Sequence, residues 1–600
     1  MLQTILLIVV LLQIREALST PTGASEGIEQ VLLFDVSSAE NPKGRRIISI
    51  NGHQDTYGPT IRAKIGDTIK LNLKNSICSP AEIQLSETDS LWKDYCDTAL
   101  HFHGLAPIGN VNDGVPELIQ AGIKTGENYW YNFTIPENAC GTFWYHSHST
   151  VQYGDGLRGT IIVDCPEFMS LTNDILQSLN SKAEIEAGPL ALIEGQSIAT
   201  GDTVQEQVIA LSDWYNDSDL DVLHDKVMTY DGTTDPRIDG SLINGSQDDN
   251  LEFVLGKDTQ VLVLRIINTG MSGTQVLNLA GHQLVIMETD GILVKPYVVE
   301  TLSMAVGQRV TVVVKLNDDV KSGKSALKLT NGCNKMMGYI EKTAWFVKEG
   351  GQNIRDENHT KIKNLPGLNK NEMYQQLEPT DSSGIHGLWD NAAVQRIELD
   401  YAYHSDEATV NEYGTGMYKV NGKTFGEFFE HPIKLKGGQI AEVVINSIDH
   451  MRHPWHLHGQ PFQVVSIGEG HEGPLRAESP DNSASRKYKK DIQYWQENRQ
   501  TPMTRDSINI PGSSYAALRI KADLPGLWLL HCHIDWHIAK GLGVVLEVAP
   551  QLDEERPVST PTEAAAPIEH QEPPRHRIRV LIIYFLIMLA INGALYWLLM

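Results

Sequence analysis

Ten of the chain's 21 histidines crowd into four short segments, and imidazoles at that density are well suited to holding transition-metal ions. Two lie in Leu100-His101-Phe102-His103-Gly104 and two in Trp144-Tyr145-His146-Ser147-His148. Three fall in His453-Pro454-Trp455-His456-Leu457-His458-Gly459, and three in His531-Cys532-His533-Ile534-Asp535-Trp536-His537. The segments match pairwise: HFHG at 101–104 answers HLHG at 456–459, and GTFWYHSH at 141–148 answers GLWLLHCH at 526–533. Gly156-Leu157 follows His148 at the same spacing as Gly541-Leu542 follows His533, so two distant parts of the chain are related repeats. Residues i and i+2 of a strand share a face, so each His-x-His presents two imidazoles side by side. One such pair is ordinary strand surface; four with internal symmetry give eight ligands between two repeats.

The repeats differ where the chemistry differs. The first has Ser147 where the last has Cys532, on the strand face opposite His531 and His533. His453 lies an odd number of residues before His456, with Pro454 between, so it turns to that same opposite side, and His537 completes a His-Cys-His set. A trigonal His₂Cys set is the mark of type 1, blue copper, and an imidazole-only cluster suits further copper ions. Structural zinc sites are compact sets of four ligands and account for neither group. Leu542, nine residues after His533, stands where a weak axial ligand could sit. An aliphatic side chain cannot coordinate, which predicts a relatively high reduction potential.

These four motifs resemble those of the multicopper oxidase family, which includes laccases, ascorbate oxidases and fungal ferroxidases, over roughly Gly27 to Pro550. The resemblance implies three cupredoxin domains and four copper ions, with a trinuclear cluster between the first and third domains. By motif position it assigns the type 1 copper to His453, Cys532 and His537, and the type 2 copper to His101 and His456. The type 3 pair takes His103, His146, His148, His458, His531 and His533. A reductant would then give up single electrons at the type 1 site, and four of them would reduce dioxygen to water. Cys532 is covalently continuous with His531 and His533, a short bonded path between the two sites. Oxygen reduction consumes protons, and Asp113, in Asn112-Asp113-Gly114-Val115-Pro116, and Asp535 are similar to the family's acidic positions.

The last motif, HCHIDWHIAKGLG, is similar to that of membrane-anchored fungal ferroxidases, as is the overall plan of the chain. That implies ferrous iron or another metal ion as substrate and a membrane permease as partner. Ferrous iron needs hard oxygen ligands, and Asp213 in Leu211-Ser212-Asp213-Trp214-Tyr215 aligns with a ferroxidase carboxylate. Ferroxidases have Glu at that position and laccases often Asp, so laccase-like oxidation of phenols is the alternative. A non-catalytic copper-binding surface protein is a third reading. The segment from Tyr418 to His453 is shorter than in either group, with no identifiable counterpart of the loop that bears another iron-binding carboxylate.

The elements that must carry these side chains read as period-two strands. Thr68-Ile69-Lys70-Leu71-Asn72-Leu73, Gln260 to Arg265 and Ile440 to Ile445 each alternate after a Gly-rich turn and resemble the opening strand of a β-sandwich. The expected fold is all-β: three cupredoxin-like Greek-key sandwich or barrel domains over residues 27–165, 200–350 and 390–550. Ser170 to Ala187 reads as a connecting helix, and the junction from Gly350 to Gly387 is polar and irregular.

Both ends read as address labels. Ile5 to Leu12 is apolar and Ala17-Leu18-Ser19 has the form of a signal-peptidase site, so residues 1–19 are expected to be a secretory leader. Residues 551–579 read as a stalk. Val580 to Met600, about 31 Å long as a helix, spans a bilayer core. A lipid-anchor signal is the alternative to a single-pass span. Either way the domains are expected on the exoplasmic side of the cell surface or of an internal secretory compartment. The sequons at Asn132, Asn216, Asn244 and Asn358 agree with glycosylation there. Lys plus Arg is 49 against 75 for Asp plus Glu, a net charge of −26, which is the wrong sign for a nucleic-acid partner. Of six cysteines, Cys78 and Cys96 bracket a polar insertion and are the best candidate bridge. Among Cys140, Cys165 and Cys333 the pairing is open.

Overall fold

A computed structural model of the chain describes residues 27–53, 56–105, 110–181, 187–190, 204–316, 324–334, 338–349, 373–381 and 395–550. The expected leader, stalk and terminal span, with Asn358, lie outside the described residues, among which no helix is long and apolar enough to cross a membrane. The fold is all-β and cupredoxin-like. The described strands form six sheets: two of four strands between Glu29 and Asp164, a seven and a five between Gly188 and Lys348, and a six and a five between Gln395 and Val548.

One wiring recurs three times. The strands Glu29–Glu40, Val204–Trp214 and Gln395–His404 pair in parallel with Thr68–Ser76, Val261–Asn268 and Ile440–Ser447. Their other edges pair antiparallel with Arg46–Ile50, Gly240–Ile243 and Met417–Val420. Parallel neighbours cannot be joined by a hairpin, so the chain crosses over, as in a Greek key. The three segments expected to open the sandwiches are therefore strands, but each is preceded by the true opener. The first opener hides because Val31, Leu32, Leu33 and Phe34 put apolar side chains on both faces, which erases period two.

Thr68–Ser76 shows what the alternation is for. Ile69, Leu71 and Leu73 are buried while Lys70, Asn72 and Lys74 turn outward, and each buried aliphatic contributes about 1.5–3 kcal/mol. Val261–Asn268 is instead buried along its whole length. Helix Pro166–Ser181 lays Phe168, Leu171, Ile175 and Leu179 over Val261 and Val263, a helical spacing that covers the outer sheet face. It starts earlier than Ser170 because Pro166 suits a first turn, where the missing N–H has no partner to lose. A second cover, helix Ser483–Asn498, packs Ala484 against Val444 and Val465 in the third unit.

The middle unit proves to be a third copy of the repeat, marked by asparagines rather than histidines. Asn51, Asn244 and Asn421 each precede a glycine and sit at φ 56°, 50° and 50°. Their Oδ1 atoms accept the N–H groups of Asp35, Ala210 and Asp400 at 2.8, 2.7 and 2.8 Å. Their Nδ2 atoms donate to the carbonyls of Leu33, Val208 and Glu398 at 3.0, 2.9 and 2.9 Å. Each side chain thus clamps the opening strand of its unit. Asn244, expected as a glycosylation site, is half-buried, and one of its two amide hydrogens already holds the Val208 carbonyl. Asn132 and Asn216 are exposed.

Cys78 and Cys96 form a disulfide that staples helices Pro80–Ser86 and Ser90–Cys96. Cys140 pairs with Cys165, and Cys532 is free and buried. The side chain of Cys333 lies outside the described ones.

Candidate metal centre

Sheet register brings the histidines together. Leu100–His103 pairs antiparallel with Gly141–Ser147, setting His101 opposite His146. His453–Leu457 pairs with Gly526–Cys532, setting His456 opposite His531. The two repeats then face each other: His101 stacks on His458 with ring centroids 3.8 Å apart, and His103 on His456 at 3.7 Å. Ligand atoms lie within 4.8 Å of one another in three sets, His103/His146/His533, His148/His458/His531 and His101/His103/His456. All eight are buried except His148, which is half-buried.

The neighbours of each ring fix which nitrogen faces inward. Carbonyl oxygens only accept, so the Nδ1–H of His101, His146, His456 and His531 donates to the carbonyls of Asp113, Ser147, Asp506 and Cys532, at 2.8, 2.9, 2.8 and 2.8 Å. Nδ1–H of His458 donates to Asp113 Oδ2 at 2.9 Å. In a neutral imidazole the other nitrogen then carries a lone pair. Nε2 of His101, His146 and His456 is buried with no hydrogen-bond partner. Such orphaned acceptors converging in one place are what a bound cation would satisfy. Burial, reinforced by neighbouring imidazoles, holds His103, His146, His456, His458 and His531 far below the ordinary range and His148 and His533 at about 3. The rings are neutral at physiological pH, as ligands must be.

On the opposite strand face a second set forms as the odd spacing of His453 predicts. Cys532 Sγ lies 3.7 Å from His453 Nδ1 and 3.5 Å from His537 Nδ1. His537 comes from the short helix Asp535–Ala539. Burial pushes the Cys532 thiol far up, so a thiolate here needs a cation beside it. Leu542 is fully buried, and its backbone bonds those of Cys532 and His537.

The acidic residues fall differently from expectation. Asp113 is fully buried, bonded to His101 and His458. Gly114 at φ +78° lets its loop press that close, since a Cβ there would sit 2.0 Å from the Leu100 carbonyl oxygen. Asp535 is buried, and burial raises its carboxyl well above the usual range. Asp213 is not a substrate carboxylate: it is buried and accepts the backbone N–H groups of Met271, Ser272 and Gly273 at 2.7, 2.8 and 2.7 Å. Its lone pairs are spent on holding that loop.

Two carboxylates that sequence reasoning missed stand at the His₂Cys set instead. Asp235 Oδ1 lies 3.3 Å from His537 Nε2, its side chain 12% exposed. Burial pushes its carboxyl up, but the charge and hydrogen bond of His537 and a bond from Thr234 leave it below the usual range. Asp449 Oδ2, from the short Tyr418–His453 segment, lies 3.7 Å from His453 Nε2. The spacing Asp449-x-x-x-His453 was a usable signal; nothing in the sequence ties Asp235 to His537. Near the cluster, a cavity of about 280 Å³ runs from His146, His148 and Asp535 past Asp94, Asp97 and Glu117.

The multicopper oxidase family matches this chain over residues 35–167, 205–324 and 397–552. The chain is 46% identical over 596 residues to GMC1 of Saccharomyces cerevisiae, covering 96% of each. It is 29% identical over 554 residues to the iron transport multicopper oxidase FET5 of the same yeast, covering 86% of this chain and 79% of FET5. Among solved structures, Fet3p, a multicopper oxidase that functions in iron import, superposes with TM-score 0.65 at 22% identity, covering 86% of this chain and 90% of Fet3p. The laccase of Botrytis aclada superposes with TM-score 0.64 at 21% identity, covering 87% and 88%.

Proposed function

The chain belongs to the multicopper oxidase family, and from that premise we propose that it oxidises a metal ion, ferrous iron foremost, and passes the electrons to dioxygen. The family binds four coppers, one type 1, one type 2 and two type 3, and uses dioxygen with a reducing substrate. When bound, the coppers supply one-electron oxidation at one end and four-electron reduction of dioxygen at the other. In our assignment His453, Cys532 and His537 hold the type 1 ion, and His101 and His456 the type 2 ion. The remaining six imidazoles hold the type 3 pair.

The observation that carries the substrate reading is the pair Asp235 and Asp449, one on the outward nitrogen of each type 1 histidine. Hard carboxylate oxygens there attract and orient a small cation, whereas a neutral phenol gains no net Coulombic attraction from two negative charges. At the cluster, Asp535, whose carboxyl burial raises well above the usual range, is placed to hold a proton for dioxygen reduction, and Asp113 orients His101 and His458. The cavity beside His146 and His148 gives dioxygen and water a way in. We place these domains on the exoplasmic side of a secretory membrane, tethered by residues 580–600 and glycosylated at Asn132 and Asn216, with a cation permease as partner. Oxygen uptake by the copper-loaded full chain, with ferrous iron and with a phenol under matched conditions, tests the reading. Faster turnover and a lower KM on iron are expected; turnover on the phenol alone overturns it in favour of a laccase-like oxidase.

A further inference from the structure

The middle unit supplies none of the eleven predicted ligands, yet one of its side chains reaches the imidazole cluster. Arg309 opens strand Arg309–Lys315 and is fully buried. Its Nη1 and Nη2 donate to Oδ1 and Oδ2 of Asp506, both at 2.7 Å, and its Nε donates to the Thr142 carbonyl at 3.1 Å. One guanidinium thereby joins the middle unit to the third and the first. Gly307 brings its loop close: at φ +84°, an added Cβ would meet His533 Cδ2 at 2.9 Å and His103 Cε1 at 3.1 Å. Asp290 stands 3.7 Å behind the guanidinium and pairs with Arg505 at 2.8 Å, so two arginines and two aspartates alternate and the buried charges are matched.

Asp506 faces the cluster with both its ends. Its carbonyl accepts Nδ1–H of His456 at 2.8 Å, and its Oδ1 lies 3.3 Å from His103 Nε2. A carboxylate beside Nε2 makes that nitrogen the donor and leaves Nδ1 of His103 bare, 3.3 Å from His533 Nε2. His103 is thus turned the opposite way to His101, His146, His456, His458 and His531, whose Nδ1 atoms bond outward. A carboxylate does this only while aimed, and the two-pronged guanidinium holds both of its oxygens in place.

We propose that Arg309 is the positioning residue of the trinuclear cluster, fixing through Asp506 the orientation of His103 and His456, so that the ligand-free middle unit sets the geometry of the oxygen-reducing site. This rests on the copper assignment above. The test is the copper-loaded full chain carrying Arg309→Met, measured for copper per chain, for the blue absorption of the His₂Cys site and for the electron paramagnetic resonance of type 2 copper. The blue band should persist, the type 2 signal should change or vanish, and turnover should fall about ten- to hundred-fold. Arg309→Lys, with the charge but without the fork, should recover part of it. Should Arg309→Met yield no blue protein, Asp506→Asn, which keeps shape and removes charge, takes the same measurements. An unchanged type 2 signal and rate in a blue variant would overturn the proposal, as would loss of the blue band in both variants, which would make the network a support of the whole fold. An unaltered chain that takes up no copper would sink the copper assignment instead.

Discussion

Replacing Asp235 by Asn removes one negative charge at the outward edge of His537 while leaving the shape of the side chain, and so isolates what that charge does to a cationic substrate. A carboxylate and a cation about 4 Å apart interact by about 4 kcal/mol per unit charge at the effective permittivity of a protein surface, an upper bound. The partial exposure of Asp235 and the water retained by the ion reduce this to about 1.5–3 kcal/mol, the worth of a charge-assisted contact. At about 1.4 kcal/mol per tenfold, kcat/KM for ferrous iron should fall about 10- to 150-fold, mostly through KM. The same substitution has the opposite sign for an anionic reductant: ferrocyanide, repelled by Asp235 and Asp449, should be oxidised faster by Asp235→Asn than by the unaltered chain. Oxygen uptake with each donor at fixed ionic strength measures both. An iron kcat/KM unchanged within about twofold refutes the role of Asp235, and iron and ferrocyanide slowing together would mean that the substitution had damaged the type 1 site rather than the attraction of the cation.

Three further outcomes follow from residues outside that pair. Cys532→Ser should remove the blue absorption and all turnover while the imidazole cluster keeps its metal, so that metal analysis finds one copper fewer per chain. Asn244→Ala loses two backbone bonds at a φ of 50° that alanine tolerates less well than asparagine, for a loss of about 1–3 kcal/mol in thermal or urea unfolding, and Asn244→Gly should recover only the conformational part. Burial pulls the Lys540 ammonium down to about 8 although its Nζ donates to Thr415 Oγ1 and Gly416 O. A depressed cation binds its proton more weakly folded than unfolded, so it costs stability below about 8 and the cost fades as pH rises toward 10.5; Lys540→Met should flatten unfolding curves over that window.

The histidine motifs were legible because ligand chemistry writes itself into adjacent residues. Strand period two fixes which side chains share a face, so the odd offset of His453 and the central place of Cys532 predict two sets back to back, and Cys532 Sγ lies 3.7 Å from His453 Nδ1 while His456 stands opposite His531. The opening strands were illegible for the complementary reason. Where both faces of Glu29–Glu40 carry apolar side chains, periodicity carries no signal, and the more regular second strand is mistaken for the first. The Asn-Gly turns at Asn51, Asn244 and Asn421 were visible in the sequence, and their spacing after an Ile or Val would have revealed the middle repeat. Read only as a sequon, Asn244 hid its part in the fold, because a tripeptide says nothing of which backbone groups its amide holds. The surroundings of Asp213 were equally hidden: three backbone N–H groups bond its oxygens, which no motif around it announces.

What no local motif could show is the part played by the ligand-free middle unit. Asp235 and His537 are 302 residues apart, and Arg309 and Asp506 are 197 apart. Each contact needs the packing of two sandwiches to exist. The first places a charge where the reducing substrate would arrive, and the second braces the imidazoles where dioxygen would be reduced. A two-sandwich chain with the same eleven ligands could assemble both sets of side chains, since the ligands come from the first and third repeats alone. It would keep Asp449 but lack Asp235 beside His537 and Arg309 behind Asp506. Substitutions in the middle unit should therefore separate the two half-reactions, with Asp235→Asn changing the choice of donor and Arg309→Met changing the handling of oxygen, although neither residue is a ligand.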